Sequence, residues 1–181
     1  MGKSRRYYRR KYRRIRWCPN ITNIADQGGY LNLVANPGDF SNTATLISNP
    51  VQSNLTTSQI FTVKNVEVSF NIETVGGGAL TYLNQLTVYI MFVPQGMNVS
   101  QFYHKDHPEY IMAMRYLGNP DNDSGNSSQS TGRNAVRVKS RLARKLNTGD
   151  TVILYISGLN TDDNTYNYGI YGVIRWWTKA N

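Results

Sequence analysis

Four stretches of this chain carry residue types that can do chemistry, and three of them fail on spacing. His104-Lys-Asp-His107-Pro-Glu109 places two imidazoles and two carboxylates within six residues, the raw material of a metal site or a general base. His-x-x-His supplies two nitrogen ligands with no third at a defined distance, and Pro108 puts the pair in a loop, so the expected role is surface loop or contact between subunits. Asp121-Asn-Asp123-Ser-Gly125 has the start of a calcium loop, but its Gly falls at the fifth position instead of the sixth and no acid stands at the twelfth. Gly76-Gly-Gly78 lacks the Lys-Ser/Thr that completes a phosphate cradle and is expected to join two strands. No Ser or Cys nucleophile motif is present, and Cys18 has no His near it in sequence. The chain is therefore expected to be no enzyme and to carry no cofactor or metal.

The fourth stretch is the amino-terminal segment. Met1 to Arg16 holds nine of the twenty Lys and Arg and none of the eleven acids, so it carries the whole formal charge of +9 and leaves an electrically balanced remainder. Its cations are Lys3, Arg5, Arg6, Arg9, Arg10, Lys11, Arg13, Arg14 and Arg16, with Tyr7, Tyr8 and Tyr12 between them. So dense a run of like charge opposes compaction, and the segment is expected to be disordered when unliganded. Guanidinium groups fork onto phosphate oxygens and stack on bases, and interleaved tyrosines add base stacking of roughly 1–3 kcal/mol each without sequence preference. Both features suit single-stranded nucleic acid. Nine phosphate contacts give a slope of log K against log salt of about −6 at roughly 0.7 per contact. Extended, the segment reaches about 55 Å. A nuclear-localisation signal, read by a host import receptor, is compatible with this role; a membrane-surface patch is disfavoured because position 6 holds no Ser or Thr for acylation at Gly2.

About 165 residues remain to position whatever the segment binds, enough for one domain with its own core. No apolar run approaches eighteen residues, so membrane insertion and a secretory leader are not expected. A single Cys18 excludes an internal disulfide, and in the reducing compartment this implies, the sequons at Asn20, Asn54, Asn98, Asn122 and Asn126 stay unmodified. The stretch from Gln59 to Ile72 alternates with a period of two: Val66, Val68, Phe70 and Ile72 on one side, Glu67, Ser69 and Asn71 on the other. Further strands are expected at Tyr30 to Ala35, Thr43 to Ile47, Leu80 to Val93, Tyr110 to Tyr116, Ala135 to Leu142, Thr151 to Ile156 and Tyr168 to Trp176. Only Asn98 to His107 and Arg141 to Lys145 suggest a helical turn, each too short to stand alone. Eight or so strands with loops such as Gly118 to Thr131 predict an all-β chain: one antiparallel two-sheet sandwich of jelly-roll or Greek-key kind at 18–181, preceded by an arginine-rich arm at 1–17.

The order of parts resembles the capsid proteins of circoviruses and circo-like viruses, which have small circular single-stranded DNA genomes. The resemblance rests on the Arg/Tyr tail Arg5 to Arg16, the strand Ile60-Phe-Thr-Val-Lys-Asn-Val-Glu-Val-Ser-Phe70, and the final aromatic strand Tyr168-Gly-Ile-Tyr-Gly-Val-Ile-Arg-Trp-Trp177. It implies a jelly-roll subunit that self-associates as a 60-mer, an icosahedral shell with basic arms inside on the DNA, and a virion that forms in the host nucleus and meets a cell-surface receptor. The chain is shorter, and its arm less extensive, than is usual in circoviruses, which favours a circo-like or satellite-like relative. An RNA satellite-virus capsid and a cellular ribosomal or chromatin-type protein are the other readings, since phosphate and base-face contacts do not report the sugar.

A second basic cluster, Arg133, Arg137, Lys139, Arg141, Arg144 and Lys145, falls within thirteen residues. Alternation with Val136, Val138 and Leu142 lets Arg137, Lys139 and Arg141 share one polar strand face that extends the nucleic-acid surface; a solvated strand neutralised by neighbouring Asp and Glu is the other reading. Among Tyr166, Tyr168, Tyr171, Trp176 and Trp177, alternation puts the two tryptophans on opposite faces, with core or subunit contact expected for most of the five.

Overall fold

The computed structural model describes residues 17–24, 30–50, 60–75, 79–120 and 135–180. Ten strands follow one another: β1 (Cys18–Ile24), β2 (Leu31–Ala35), β3 (Gly38–Ser48), β4 (Phe61–Val75), β5 (Leu83–Val93), β6 (Ile111–Gly118), β7 (Val136–Lys139), β8 (Ala143–Leu146), β9 (Thr151–Asn160) and β10 (Tyr166–Ala180). One helical turn, α1 (Tyr103–Asp106), lies between β5 and β6.

The first sheet runs β1-β10-β4-β7, with β2 also on β10 and β8 also on β4; the second runs β3-β9-β5-β6. β1 pairs with residues 172–178 of β10 and β2 with residues 166–170, so the two lie end to end as one interrupted edge. β7 and β8 occupy the opposite edge in the same way, against residues 67–70 and 61–64 of β4. With each interrupted edge counted once, the chain winds between sheets as two interlocked Greek keys, which is the jelly roll. All pairings given for both sheets are antiparallel.

Alternation decides what fills the space between the sheets. Val63, Val66, Val68, Phe70 and Ile72 of β4 are fully buried or nearly so and meet Leu86, Val88, Ile90, Val152, Leu154 and Ile156 of the second sheet in a single apolar cluster. The outer face of the second sheet is covered as well. There Tyr89, Met91, Val93, Ile153 and Tyr155 pack under Met97, Val99, Tyr103 and Tyr110, from the segment that joins β5 to β6. Buried Asp150 fixes the start of that segment by accepting from the Gln95 and Asn147 amides at 3.0 and 2.8 Å.

The structure corrects several sequence expectations. β1 was not foreseen: exposed Pro19 and Thr22 and half-buried Asn20 show no clean alternation, and its place comes from pairing with β10. Leu80 to Tyr82 forms a short 3₁₀ turn before β5, and Arg141 to Lys145 leads into strand β8 instead of a helical turn. The expected strand from Ala135 to Leu142 ends at Lys139 because β4 carries a bulge opposite the break. Asn65 and Val66 together face Trp176, and Asn65 takes the left-handed backbone (φ 50°) that Asn tolerates better than most residues. Ser140 bridges the gap, with its amide on the Val66 carbonyl (2.8 Å) and its hydroxyl on the Met112 carbonyl (3.0 Å).

At Gly172, β10 passes so close to β4 that a Cβ would stand 2.5 Å from Phe70 Cβ and 2.7 Å from its Cα. Backbone cannot yield as a flexible side chain can, so Gly172→Ala is expected to lower the urea midpoint by the equivalent of about 2 kcal/mol or more at unchanged m-value. Burial pushes the Tyr103 and Tyr168 phenols up to about 12, above the ordinary 10.0. Between these values the unfolded chain sheds protons that the folded chain keeps, so stability is expected to fall as pH rises from about 10 to about 12. Denaturant melts across that range, with tyrosinate absorbance followed in parallel, check the direction.

Candidate nucleic-acid interface

Among the described residues, the outward face of the first sheet is the one broad strand surface whose chemistry suits a polyanion. Register assigns its occupants, since directly paired residues share a face. Arg175 pairs with Glu67 and Glu67 with Lys139; Trp177 pairs with Lys64; Lys179 and Lys145 both pair with Thr62; Arg137 pairs with Ser69. Val63, Val68 and Ile174 point the other way into the core, which fixes this set as outward. Among the described residues six cations, Lys64, Arg137, Lys139, Lys145, Arg175 and Lys179, thus share the face with Glu67 and Glu73, and six against two leaves a surplus of four positive charges. The cover over the second sheet is different, with Lys105 set among Asp106 and Glu109.

The bulge at Asn65 creates part of this surface. Without the extra residue, strict alternation from Val66 would point residue 64 into the core and residue 63 outward. With it, Val63 is fully buried and the Lys64 ammonium sits 3.9 Å from the centroid of the Trp17 ring, with the Lys179 ammonium 5.9 Å from the same ring. Cation–π attraction of this kind is worth about 0.5–1 kcal/mol at exposed sites. Trp17 is bonded directly to Arg16, so the last residue before the sheet lies on the basic face.

Arg137 and Lys139 stand side by side on β7, 64% and 48% exposed, and both hold Glu67: Arg137 Nε to Oε1 and Lys139 Nζ to Oε2, each 3.3 Å. One carboxylate therefore fixes two cations and leaves one charge in excess. Arg141 does not join them. It falls in the exposed link after the strand break, so the expected three-residue face is a two-residue face. Arg144 is turned aside, with its guanidinium on the Glu109 carbonyl at 2.8 Å and 5.6 Å from the Phe92 ring. Sequence reading missed Lys64, Arg175 and Lys179 as members; the pairing of β10 with β4 is what gathers them around Trp177, which alternation had already set on the opposite face from Trp176, and only Lys64 among them needed the bulge.

Lys3, Arg5, Arg6, Tyr7, Tyr8, Arg9, Arg10, Lys11, Tyr12, Arg13, Arg14 and Arg16 lie outside the described residues, as do Arg133, Gly76 to Gly78 and Asp121 to Gly125. Of the carboxy-terminal aromatics, Tyr168 is fully buried, Trp176 packs against the core, and Tyr166 stacks on Tyr82 at 5.2 Å. Trp177 faces outward beside Lys64, and Tyr171 is exposed and tilted against Tyr30.

His104 and His107 are used by packing. Tyr155 donates its one hydroxyl proton to the Gln101 carbonyl, so His104 Nδ1, 3.2 Å from that oxygen, is the donor. Burial first, and Lys105 second, lower the His104 pKa below 6.5, which keeps its ring neutral at pH 7. His107 Nδ1 lies 3.3 Å from Glu109 Oε1, and its ring stacks on Tyr110. Among the described residues no group of three or more His, Cys, Asp or Glu is placed to hold a metal ion. No helix among them is long and apolar enough to cross a membrane.

No protein-family model and no curated protein matches the chain. Among solved structures, that of infectious bursal disease virus Gx strain aligns with a TM-score of 0.38 at 9% identity, covering 88% of this chain and 33% of that one. The Gt strain of the same virus aligns with a TM-score of 0.33 at 12% identity, covering 88% and 32%. The chain thus spans about a third of the length of these structures, and similarity at this level carries no functional argument.

The ion-pair geometry gives a directional test. Glu67→Gln releases Arg137 and Lys139 from their shared counter-charge, so affinity for a single-stranded oligonucleotide is expected to rise several-fold, at little cost in stability because both cations stay solvated at 64% and 48% exposure and Gln keeps the shape of the less exposed Glu67. Removing Lys64 and Lys179 together is expected to weaken binding and make the salt slope shallower by about 1.4, at about 0.7 per contact. Fluorescence-anisotropy titrations across a salt series measure both.

Proposed function

We propose that this chain is a viral capsid protein whose jelly-roll body tiles with copies of itself into a closed shell and whose basic arm and first-sheet face hold a single-stranded genome inside. One observation carries the reading: Trp17, the residue next to the nine-charge arm, lies on the one described sheet face with a surplus of cations. The jelly roll by itself would not suffice, because lectins and cupins share it with viral capsids.

The charge distribution supports tiling. After residue 16 the chain has eleven basic and eleven acidic residues, so neighbouring bodies can approach through apolar and polar contacts without net repulsion. Confining arms of nine charges each within a shell demands a polyanion to neutralise them, which couples assembly to packaging. In its finer form the proposal is a sixty-subunit icosahedral shell around single-stranded DNA, of circo-like kind, with the arm also serving nuclear import. About 540 arm charges would then face the genome, at nine on each of sixty copies. Arginine forks and tyrosine stacking would serve RNA equally, so extracted nucleic acid identifies the genome type by its nuclease sensitivity. In this reading the protein binds and encloses, catalyses nothing, and does not insert into a membrane.

Deleting Met1 to Arg16 tests the division of roles. The truncated chain is expected to remain folded and to lose retained nucleic acid, read as a drop in the ratio of absorbance at 260 and 280 nm in purified particles examined by negative-stain microscopy. An unchanged ratio in truncated particles contradicts the role given to the arm.

A further inference from the structure

On the side of the sandwich away from the basic face, a cleft of about 310 Å³ opens between the outward surface of the second sheet and the segment that covers it. Its floor comes from Thr87 on β5 and Ser157 and Gly158 on β9, which are cross-strand neighbours. Gln101, Phe102, His104 and Lys105 form one wall, and Tyr116 on edge strand β6 forms the other. This size falls at the lower end of sites for small organic ligands.

The polar groups are set out for a ligand that both donates and accepts. Asp39 offers a carboxylate, and Gln85 an amide, with no side-chain hydrogen bond of their own among the described residues. His104, with Nδ1 donating to Tyr155, keeps Nε2 as an acceptor. Lys105 makes no ion pair among the described residues; its ammonium lies 5.0 Å from the Phe102 ring centroid. One carboxylate, one ammonium and a neutral imidazole leave no net charge. Phe102 at 44% exposure and Tyr116 at 64% both present ring surface to the cleft.

Gln85 sharpens the picture. It forms a second two-against-one bulge, with Leu86, opposite Gly158, and its backbone is left-handed at φ 51°. Glycine would take this conformation without strain, whereas a Gln there costs stability, and strain of this kind concentrates at ligand sites. The side chain it buys is an amide at the rim of the cleft.

We infer that this cleft binds a neutral saccharide of one or two rings, with the amide, carboxylate and hydroxyl groups of Gln85, Asp39 and Ser157 on its hydroxyls and the rings of Phe102 and Tyr116 on its C–H faces. A sugar fits where other ligands do not: each hydroxyl is donor and acceptor at once, matching the mixed lining, and its ring presents apolar faces to aromatics. A phosphate or sulfate ester would meet a lone ammonium against Asp39, and a purely apolar ligand would strand the floor hydroxyls. The position of the site on the outside of a particle rests on the shell reading above; the site itself does not.

Saturation-transfer NMR and titration of the full chain with lactose, N,N′-diacetylchitobiose, sialyllactose and a heparin disaccharide test the assignment. At least one of the two neutral sugars is expected to bind, and Gln85→Gly and Tyr116→Ala are each expected to weaken it about tenfold, equivalent to about 1.4 kcal/mol. Gln85→Gly suits the left-handed backbone and keeps the fold, and thermal melts verify this for both variants. Absence of transfer to both neutral sugars, or an affinity that either substitution leaves unmoved, overturns the assignment. Binding confined to the sialylated or sulfated sugars overturns it too. Oligonucleotide titrations on the same preparations read the basic face separately, so failure of the saccharide site leaves the packaging role standing.

Discussion

Two β-sheets that share one apolar layer have only their outward faces left for other chemistry, and this constraint governs the molecule. Every residue of β4, β5, β9 and β10 belongs either to the layer between the sheets or to one of the two outer faces. The second sheet spends its outer face on the segment that carries α1, burying Met91, Tyr103 and Tyr155. The first, among the described residues, has no such cover and fills its outer face with Lys64, Arg137, Lys139, Arg175 and Lys179. Charge surplus and apolar cover are thus sorted to opposite sides of the sandwich.

Bulges adjust that sorting where it matters. Asn65 flips the phase of β4, so that Val63 returns to the core and Lys64 reaches Trp17. It also interrupts the facing edge, which separates β7 from β8 and leaves Arg141 outside the strand. Gln85 does the corresponding work in β5 and re-aims a side chain over the cleft. Both are non-glycine residues in left-handed backbone, and both stand beside the surfaces assigned functions here, in keeping with the concentration of bulges near binding sites.

Much of this was legible from the sequence. The run Val66, Val68, Phe70, Ile72 announced its buried face because four apolar residues at a spacing of two leave no other arrangement, and the strands of β2 and β6 were bounded by clear turn signals. The all-β class and the sandwich followed from them. β1 was not legible, since Pro19, Asn20 and Thr22 are polar or break alternation and only the β10 ladder orders them. Nor could the basic face be read, because Lys64 lies more than a hundred residues from Arg175 and Lys179 and meets them only through strand pairing. Arg141 was misplaced for a related reason: continuous alternation from Ala135 to Leu142 hides a break imposed by the partner strand. The cleft left no trace in local sequence, its residues coming from β3, β5, β6, β9 and the covering segment.

The central claim is that nucleic acid lies on the first-sheet face and not on the covered second. Photo-crosslinking of the full chain to a single-stranded oligonucleotide, with the attachment sites read by mass spectrometry, tests it most directly. Adducts at Trp17 and Trp177, together with the tyrosines of the arm, are the predicted result; adducts concentrated at Phe102 and Tyr116, with Trp17 and Trp177 unmodified, would contradict it.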